Sequence, residues 1–466
     1  MIPHHLIAPA ALGSVLLVAC AISQPGLHGP ASASPAPSPV QLLPIAPGVA
    51  SSSINTVIFR HSPLVTFDST QYAAFYDDQA HVVLAKRSLS GPGSEKWDTT
   101  TTALTGNIKD AHNTISLGMD GSGILHMAWD HHGANLNYVQ TKAPGSLDLT
   151  AKLPMDGQRE NQVTYPEFYT LPVKNADGTP RPSDLLFLYR VGSSGNGDLV
   201  LKRYRTVAQK WETVAQNLVA GEGRQNAYPE FDVGPDGTLH LGWVWRASPD
   251  VATNHDVCYA RSTDAGLTWT TSTGKKLSLP ITAETAEIAV PVPQKSELIN
   301  QTTMAGDAAG HPYIASYFRT GDSSIPQYRI IYNDGAAWHT VQVGERKTPF
   351  TLAGGGTKRI PISRPLVIVD PAPRATRVIV VVRDAERQDR ATLIATDNLT
   401  AAAPTWTYTD LTAESWGSWE PSYDPLRWSR DHVLDLFLQK TDQLDGNDAY
   451  GRTLPPTMAQ VLEYKP

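Results

Sequence analysis

A short unit recurs along this chain, and it limits the fold more than any other feature. Each copy has a polar or Tyr-Pro opening, a short strand, an Asp-Gly-type turn, and a second strand ending in an aromatic residue or Arg. In His112–Trp129, Ser116–Met119 is followed by the turn Asp120-Gly-Ser-Gly123 and the run Ile124–Trp129. Tyr228–Arg246 runs Tyr-Pro-Glu-Phe-Asp-Val, then Pro235-Asp-Gly237, then Thr238–Arg246. Asn300–Arg319 repeats the plan, and weaker copies begin near Thr66, Tyr165, Arg364 and Glu420. Between these units, alternating or β-branched runs such as Leu239–Trp245 and Val378–Arg383 are broken by Gly, Asp, Asn and Pro, the pattern of strands and turns. From about residue 55 no long run has helical periodicity. Starts spaced by roughly fifty to seventy residues are what four-stranded propeller blades with loops require. The expected fold is an all-β, seven-bladed β-propeller of four-stranded antiparallel blades, with six or eight blades also open.

Length does not oppose this. The 466 residues suggest about three domains by a simple length prior. Radially built all-β folds hold that much chain in one unit. Eleven Trp, seventeen Tyr, thirty-five Gly and thirty-six Pro suit a turn-rich β protein, with the aromatics serving as strand core or as sugar platforms. Ser262-Thr-Asp-Ala-Gly-Leu-Thr-Trp269 matches the Asp-box of sialidase-like propellers, where Asp and Gly shape a hairpin turn and Trp packs between strands. It speaks for the fold and not for the chemistry.

The N-terminus reads as an address. Leu6–Val18 is apolar but too short to span a membrane, and it has the length of a signal-peptide core, although His4 and His5 stand where Lys or Arg is usual. Leu17-Val-Ala-Cys20 resembles a bacterial lipobox, so Cys20 is a candidate lipidation site; ordinary cleavage nearby, with Cys20 incidental, is the other reading. The domain plan is a signal peptide over 1–20, a Pro/Ala/Ser-rich linker over 21–53, and one propeller over 54–466. The expected location is outside the cytoplasm, as a cell-surface or periplasmic lipoprotein or a secreted protein. Any membrane contact would come through the anchor at Cys20. Cys20 and Cys258 are the only two cysteines, so there is no disulfide framework. A net charge of -7 and a pI of about 6.0 give no support to nucleic-acid binding, which needs a basic field.

Propellers gather the openings of their innermost strands at one mouth. The polar residues at those openings are His112 and Asn113, Tyr165, Tyr228, Asn300 and Gln301, Arg364, and Glu420. Ionisable groups cluster in three stretches: Asp110–Asn113 with Asp130–His132, Thr164–Phe168 with Phe187–Arg190, and Trp243–Arg246 with Asn254–Asp256. A hairpin brings its ends together, so His112 should meet His132, and Tyr165 should meet Arg190. His126 lies on an alternating strand and reads as core. His131 and His132 point to opposite strand faces, and His132 is favoured for the mouth. No Cys/His spacing matches a zinc signature, and His255 with Cys258 is half a site. There is no Gly-x-Ser-x-Gly motif, and Gly192–Asp198 reads as a turn and not as a phosphate cradle.

At Asp110–Gly121, His126–Gly133, Val163–Phe168, Tyr189–Asp198 and Thr253–Arg261 the sequence resembles the BNR-repeat polysaccharide lyases, that is, the ulvan lyases and rhamnosyl-glucuronate lyases. The resemblance runs from about residue 55 to the end. It implies a seven-bladed propeller that cleaves a uronic-acid glycan by β-elimination. It places the catalytic set on His112, His132, Tyr165 and Arg190. Asn113, Tyr228, Arg246, His255 and Asn300 become candidate substrate contacts. A longer segment between Phe168 and Asp184 is an insertion at the hairpin tip. The chemistry requires no cofactor, although some relatives carry a structural metal, which for this chain would be Ca or Zn with an unknown ligand set. The expected partner is an anionic polysaccharide, and the expected state is a monomer. The alternatives are a sialidase-like glycoside hydrolase, which needs paired carboxylates, and a non-catalytic carbohydrate-binding propeller.

Overall fold

The computed structural model describes residues 39–175, 177–369, 377–445 and 453–466. Leu6–Val18, Cys20 and the linker up to residue 38 lie outside the described residues. The described chain is almost wholly β; its one α-helix, Pro425–Asp431, has seven residues, and none is long and apolar enough to cross a membrane.

Each repeat folds as an antiparallel meander. Leu64–Phe67, Thr70–Tyr76, His81–Ser88 and Asp98–Thr105 form one four-stranded sheet, and two more span Thr303–Gln342 and Leu366–Asp410. Ile115–Met119 and Leu125–Trp129 pair in another sheet with Tyr138–Gln140. Two further meanders, over Val163–Ala215 and Asn226–Val290, join through a parallel bridge from Gly197 to Asn226. The first strand of each meander lies against the first strand of the next. Together these first strands surround a cavity of about 380 Å³, lined by Leu64, Leu117, Phe168, Phe231, Met304 and Leu366. None of His112, His132, Tyr165 and Arg190 lines it.

Burial explains the sequence pattern. Ile115–Met119 and Leu366–Val369 are buried at every position because both faces are covered by neighbouring sheets, and Leu366–Val369 reads as a continuous apolar run. Outer strands such as Asp98–Thr105 are largely exposed and Thr-rich. Gly118 permits the close approach of adjacent meanders, since a Cβ there would lie 2.6 Å from the Phe168 Cβ. The Asp-box forms the expected turn: Asp264 accepts from Ser262 Oγ at 2.8 Å, Gly266 has φ +89°, and Trp269 is fully buried.

The linker reading needs one correction. It ends at residue 53, but Val40–Gly48 is a strand paired antiparallel with Thr457–Tyr464, from Val40 opposite Tyr464 to Gly48 opposite Thr457. Its prolines gave it the composition of a tether. This strand is the edge of its sheet, where a missing N–H is tolerated, and its register shifts between Pro44 and Ala46. Leu43 anchors it, buried with Phe75, Phe437 and Val461.

From Gly48 the chain turns inward, and Ser52–Arg60 is buried throughout. Arg60 ties this segment to its surroundings by donating to Ile115 O at 3.0 Å, to Asn55 O at 2.6 Å, and to Ala74 O. His61 N donates to Glu167 at 3.2 Å, and the His61 ring meets Tyr169 Oη at 3.4 Å and Thr302 O at 3.2 Å. The segment thus floors the region where the openings converge, and Val57 and Phe59 pack there with Tyr165 and Tyr228.

Candidate active site

Strand register puts two site residues in one row. Thr164 stands opposite Arg190 on one side and His132 on the other. Thr164 also accepts a hydrogen bond at Oγ1 from Gly133 N at 2.7 Å. The ladder then skips from Thr164 to Glu167, which faces Leu188. That bulge holds Tyr165 at φ +54°, a left-handed conformation that costs a bulky residue about 1–3 kcal/mol. Pro166 has no N–H, so the skipped position forfeits no donor there. The second Tyr-Pro-Glu-Phe, at Tyr228, stays in regular register with Val244 opposite. Identical tetrapeptides therefore present their phenols differently.

The histidines meet as the hairpin argument requires. The His112 and His132 rings stack with centroids 4.2 Å apart and 18° between planes. Asp110 bridges them, accepting from His112 Nδ1 at 2.5 Å through one oxygen and from His132 Nδ1 at 2.6 Å through the other. Burial pushes the Asp110 carboxyl up, but the two imidazoles outweigh it and hold the group well below the usual carboxylate range. Burial holds His112 below its ordinary value despite Asp110, so it is neutral near pH 7. Phe59 stacks on His112 at 5.5 Å and meets Tyr165 edge-on at 5.2 Å.

Beside them lies a cluster of phenols and guanidiniums. The Arg190 guanidinium stands 5.1 Å from the Tyr165 ring centroid and 5.6 Å from that of Tyr228. Arg190 is 2% exposed, and its Nε and Nη1 have no hydrogen-bond partner among the described residues. Buried donors without partners are rare because each costs free energy, so two on one cation mark a place for an anion. Arg246 lies 5.3 Å from the Tyr228 ring and donates to its Oη at 3.2 Å; Ser194 Oγ is 2.9 Å from the same oxygen. Of the two phenols, the electrostatics lower Tyr228 and not Tyr165. Burial raises Tyr228, but Arg190 and Arg246 pull harder and leave it below the ordinary tyrosine value. At Tyr165, burial and the neighbouring Tyr228 outweigh the arginines, and the phenol is held up and protonated.

The remaining expected residues divide. Asn300 lies beside the cluster, with its carbonyl accepting from Arg364 Nε at 3.0 Å, and Arg364 pairs with Glu420 at 2.7 Å and sits over Phe59. Asn113 and His255 are turned to other partners. Asn113 is buried and donates to Asn107 O at 3.2 Å, while the His255 ring contacts Asp256 at 3.0 Å and Gln225 at 3.3 Å. His131 is fully buried and accepts from Asn137 N at 2.8 Å, and His126 is core, bonded to Tyr138 Oη at 2.6 Å. Sequence reasoning missed Phe59 and the bridging role of Asp110. Asp110 was visible as part of the first cluster, but Phe59 had no signal beyond an apolar residue shortly after the supposed linker.

Among the described residues, Asp110, His112 and His132 form the one group tight enough to hold a metal. As arranged here, the set is hydrogen-bonded and not spaced for zinc. Its N–O separations of 2.5 and 2.6 Å are hydrogen-bond lengths. Ligands arranged tetrahedrally around zinc at 2.0–2.1 Å stand roughly 3.3 Å apart. Cys258 is buried, and burial holds its thiol well above the ordinary value.

The family model of the BNR repeat-containing family matches residues 70–346, more than half of the chain. The chain belongs to the BNR repeat-containing family. Two solved structures resemble this BNR-repeat protein, both of an ulvan lyase of polysaccharide lyase family PL25. One, bound to a repeat of glucuronate joined 1-4 to rhamnose 3-sulfate, aligns with a TM-score of 0.59 at 13% identity, over 86% of this chain and 94% of that one. The other aligns with a TM-score of 0.56 at the same identity and coverage. At that identity the likeness shows the fold, which is all-β and propeller-like. An α-L-arabinofuranosidase from Fusarium graminearum, 13% identical over 75% of this chain and 92% of its own, reaches a TM-score of 0.43, too low to inform the site. No curated protein matches this BNR-repeat chain by sequence.

Proposed function

We propose that this protein is an exported polysaccharide lyase with a seven-bladed propeller fold, cleaving a uronic-acid glycan by β-elimination. The meanders over residues 64–410 supply six blades, and the sheet of Val40–Gly48, Thr457–Tyr464 and Leu434–Leu438 supplies the seventh. The observation that carries the reading is the buried Arg190 with two nitrogens, Nε and Nη1, unpartnered among the described residues, set beside a neutral imidazole and a protonated phenol.

The chemistry follows from those protonation states. The C5 proton of a uronate is weakly acidic while the neighbouring carboxylate keeps its charge. Arg190 supplies the cation that neutralises this carboxylate and stabilises the enolate-like intermediate. His112, kept neutral, takes the C5 proton on its outward nitrogen. The C5–H electron pair becomes the C4–C5 double bond as the C4–O bond breaks. Tyr165, kept protonated, gives its proton to the departing oxygen. The products are an unsaturated uronate and a new chain end.

The substrate class is an anionic polymer with rhamnosyl-α-1,4-glucuronate bonds, as in ulvan or plant gums. Support comes from the sequence resemblance and from the ulvan lyases that share the fold. A hydrolase would need two available carboxylates. Of those in contact with the cluster, Asp110 is committed to both imidazoles, and Glu420 to Arg364 and Ile58 N.

The test is incubation with a panel of uronate polymers. Ultraviolet absorbance from an unsaturated uronate is the expected result. New reducing ends without that absorbance would replace the lyase reading with a hydrolase, and binding without turnover would leave a lectin-like protein.

A further inference from the structure

The chemistry above uses His112 and leaves Asp110, which touches both His112 and His132, without a role. We propose that Asp110 is a positioning residue that fixes the tautomer of both imidazoles, so that each carries hydrogen on Nδ1 and turns a bare Nε2 to the cleft. This rests on the elimination reading for its catalytic consequence but not for its structural one.

Three observations carry it. First, both oxygens of one carboxylate are used, each on a different Nδ1, at 2.5 and 2.6 Å. An ionised carboxylate only accepts hydrogen bonds, so each Nδ1 must hold the hydrogen. Second, the rings cannot turn to offer another edge. His112 is sandwiched between Phe59 and His132, both nearly parallel to it, with interplanar angles of 15° and 18°. Its backbone N–H also donates to Asp110 Oδ1 at 3.0 Å, which fixes the carboxylate against the residue it orients. Third, no hydrogen bond within the described residues is made by Nε2 of either ring. The nitrogens left over are the ones with a free lone pair, as a proton acceptor requires.

The device differs from a single Asp–His pair. One carboxylate sets two imidazoles at once, and a proton gained by either is stabilised by the charge they share. Losing the carboxylate makes the Nε2–H tautomer available to both rings, and that form cannot accept a proton on the cleft side.

Asp110→Asn makes the test sharp. An amide has one accepting oxygen and one donating nitrogen. It can keep one Nδ1–H bond, but it must donate to the other Nδ1 and force that ring to carry its hydrogen on Nε2. Nitrogen-15 NMR of the labelled imidazoles reads this directly, with no turnover needed. Wild-type protein should show Nδ1–H on both rings, and Asp110→Asn should show one of the two switched. With substrate, kcat should fall about 10²–10⁴-fold, the range of lost acid–base catalysis, while KM moves less than about threefold.

Unchanged tautomers in Asp110→Asn would overturn the proposal, as would a fall in kcat with both tautomers unmoved. His132→Ala gives a second measurement that frees one Asp110 oxygen and keeps the Asp110–His112 contact. There His112 should remain Nδ1–H, and a switch to Nε2–H would also overturn it. If the tautomers behave as expected but no polymer yields an unsaturated product from wild-type protein, the elimination reading fails and the positioning role stands.

Discussion

Replacing Arg190 with Met should make the protein more stable and nearly inactive. The side chain is 2% exposed, and two of its donor nitrogens have no partner among the described residues. Each buried unsatisfied donor costs about 1–3 kcal/mol, so the pair costs about 2–6. Against this stand contacts with the rings of Tyr165 and Tyr228, at 5.1 and 5.6 Å. Cation–π contacts contribute about 0.5–2 kcal/mol each, so about 1–4 would be lost. Met fills most of the space of the Arg stem, which limits the cavity left behind. Central values make Arg190→Met about 1–2 kcal/mol more stable in urea unfolding. Activity moves the other way. Two hydrogen bonds from a cation to the substrate carboxylate are worth about 3–6 kcal/mol, and removing them lowers kcat/KM about 10²–10⁴-fold. The assays are urea unfolding and release of unsaturated uronate. A variant several kcal/mol less stable would refute the idea that this guanidinium is held uncompensated, and activity within threefold of wild type would remove Arg190 from the chemistry.

Tyr165→Phe should lower kcat about 10²–10⁴-fold with little change in unfolding free energy, because the lost hydroxyl has no partner within the described residues; a matching loss of stability would mean the hydroxyl is structural. Stability should peak near pH 6.5. Below it, His61 and His240, held by burial at about 4, are neutral in the folded protein while the unfolded chain takes up protons at 6.5, so stability rises with pH. Above it the histidines no longer contribute, while the Glu167 carboxyl, pushed by burial to about 8, and the Glu230 carboxyl, pushed up likewise, keep protons that the unfolded chain has already lost, so stability falls, with Glu167 contributing about 1.4 kcal/mol per pH unit until pH 8. Glu167→Gln should flatten that fall, and an unchanged slope would assign it elsewhere. Leu43→Ala should cost about 2–4 kcal/mol, since Leu43 is 2% exposed; a tether residue would cost nothing.

Much of the site was legible because hairpins obey simple geometry. His112 and His132 flank one hairpin, Tyr165 and Arg190 another, and each pair meets in space. The insertion at the tip of the second hairpin leaves its ends in place, with Thr164 still opposite Arg190. What was illegible depends on partners distant in sequence. The two Tyr-Pro-Glu-Phe copies look the same, yet only the first bulges, beside the short strand His132–Ala134. The phenol with the lowered value is Tyr228 because two guanidiniums border it, and one of them comes from the preceding meander. Phe59 sits in a segment with no strand and no motif, and its value lies in contacts to His112, Tyr165 and Arg364. Val40–Gly48 looked like tether because prolines that are harmless on a sheet edge give the same composition as prolines in a flexible chain.

The pairing of Val40–Gly48 with Thr457–Tyr464 also bears on how the chain can be cut and rejoined. Lys465 N donates to Pro39 O at 3.1 Å, so the ends of this unit are neighbours and not opposite poles. A short linker between them would span almost no distance. New termini could then be opened in an exposed turn such as Gly91–Gly93, giving a circular permutant with every strand pairing kept. The same pairing sets the order of events in the natural chain. The edge strand is made early and waits through more than four hundred residues for its partner, so the last sheet is completed only when the far end of the chain arrives.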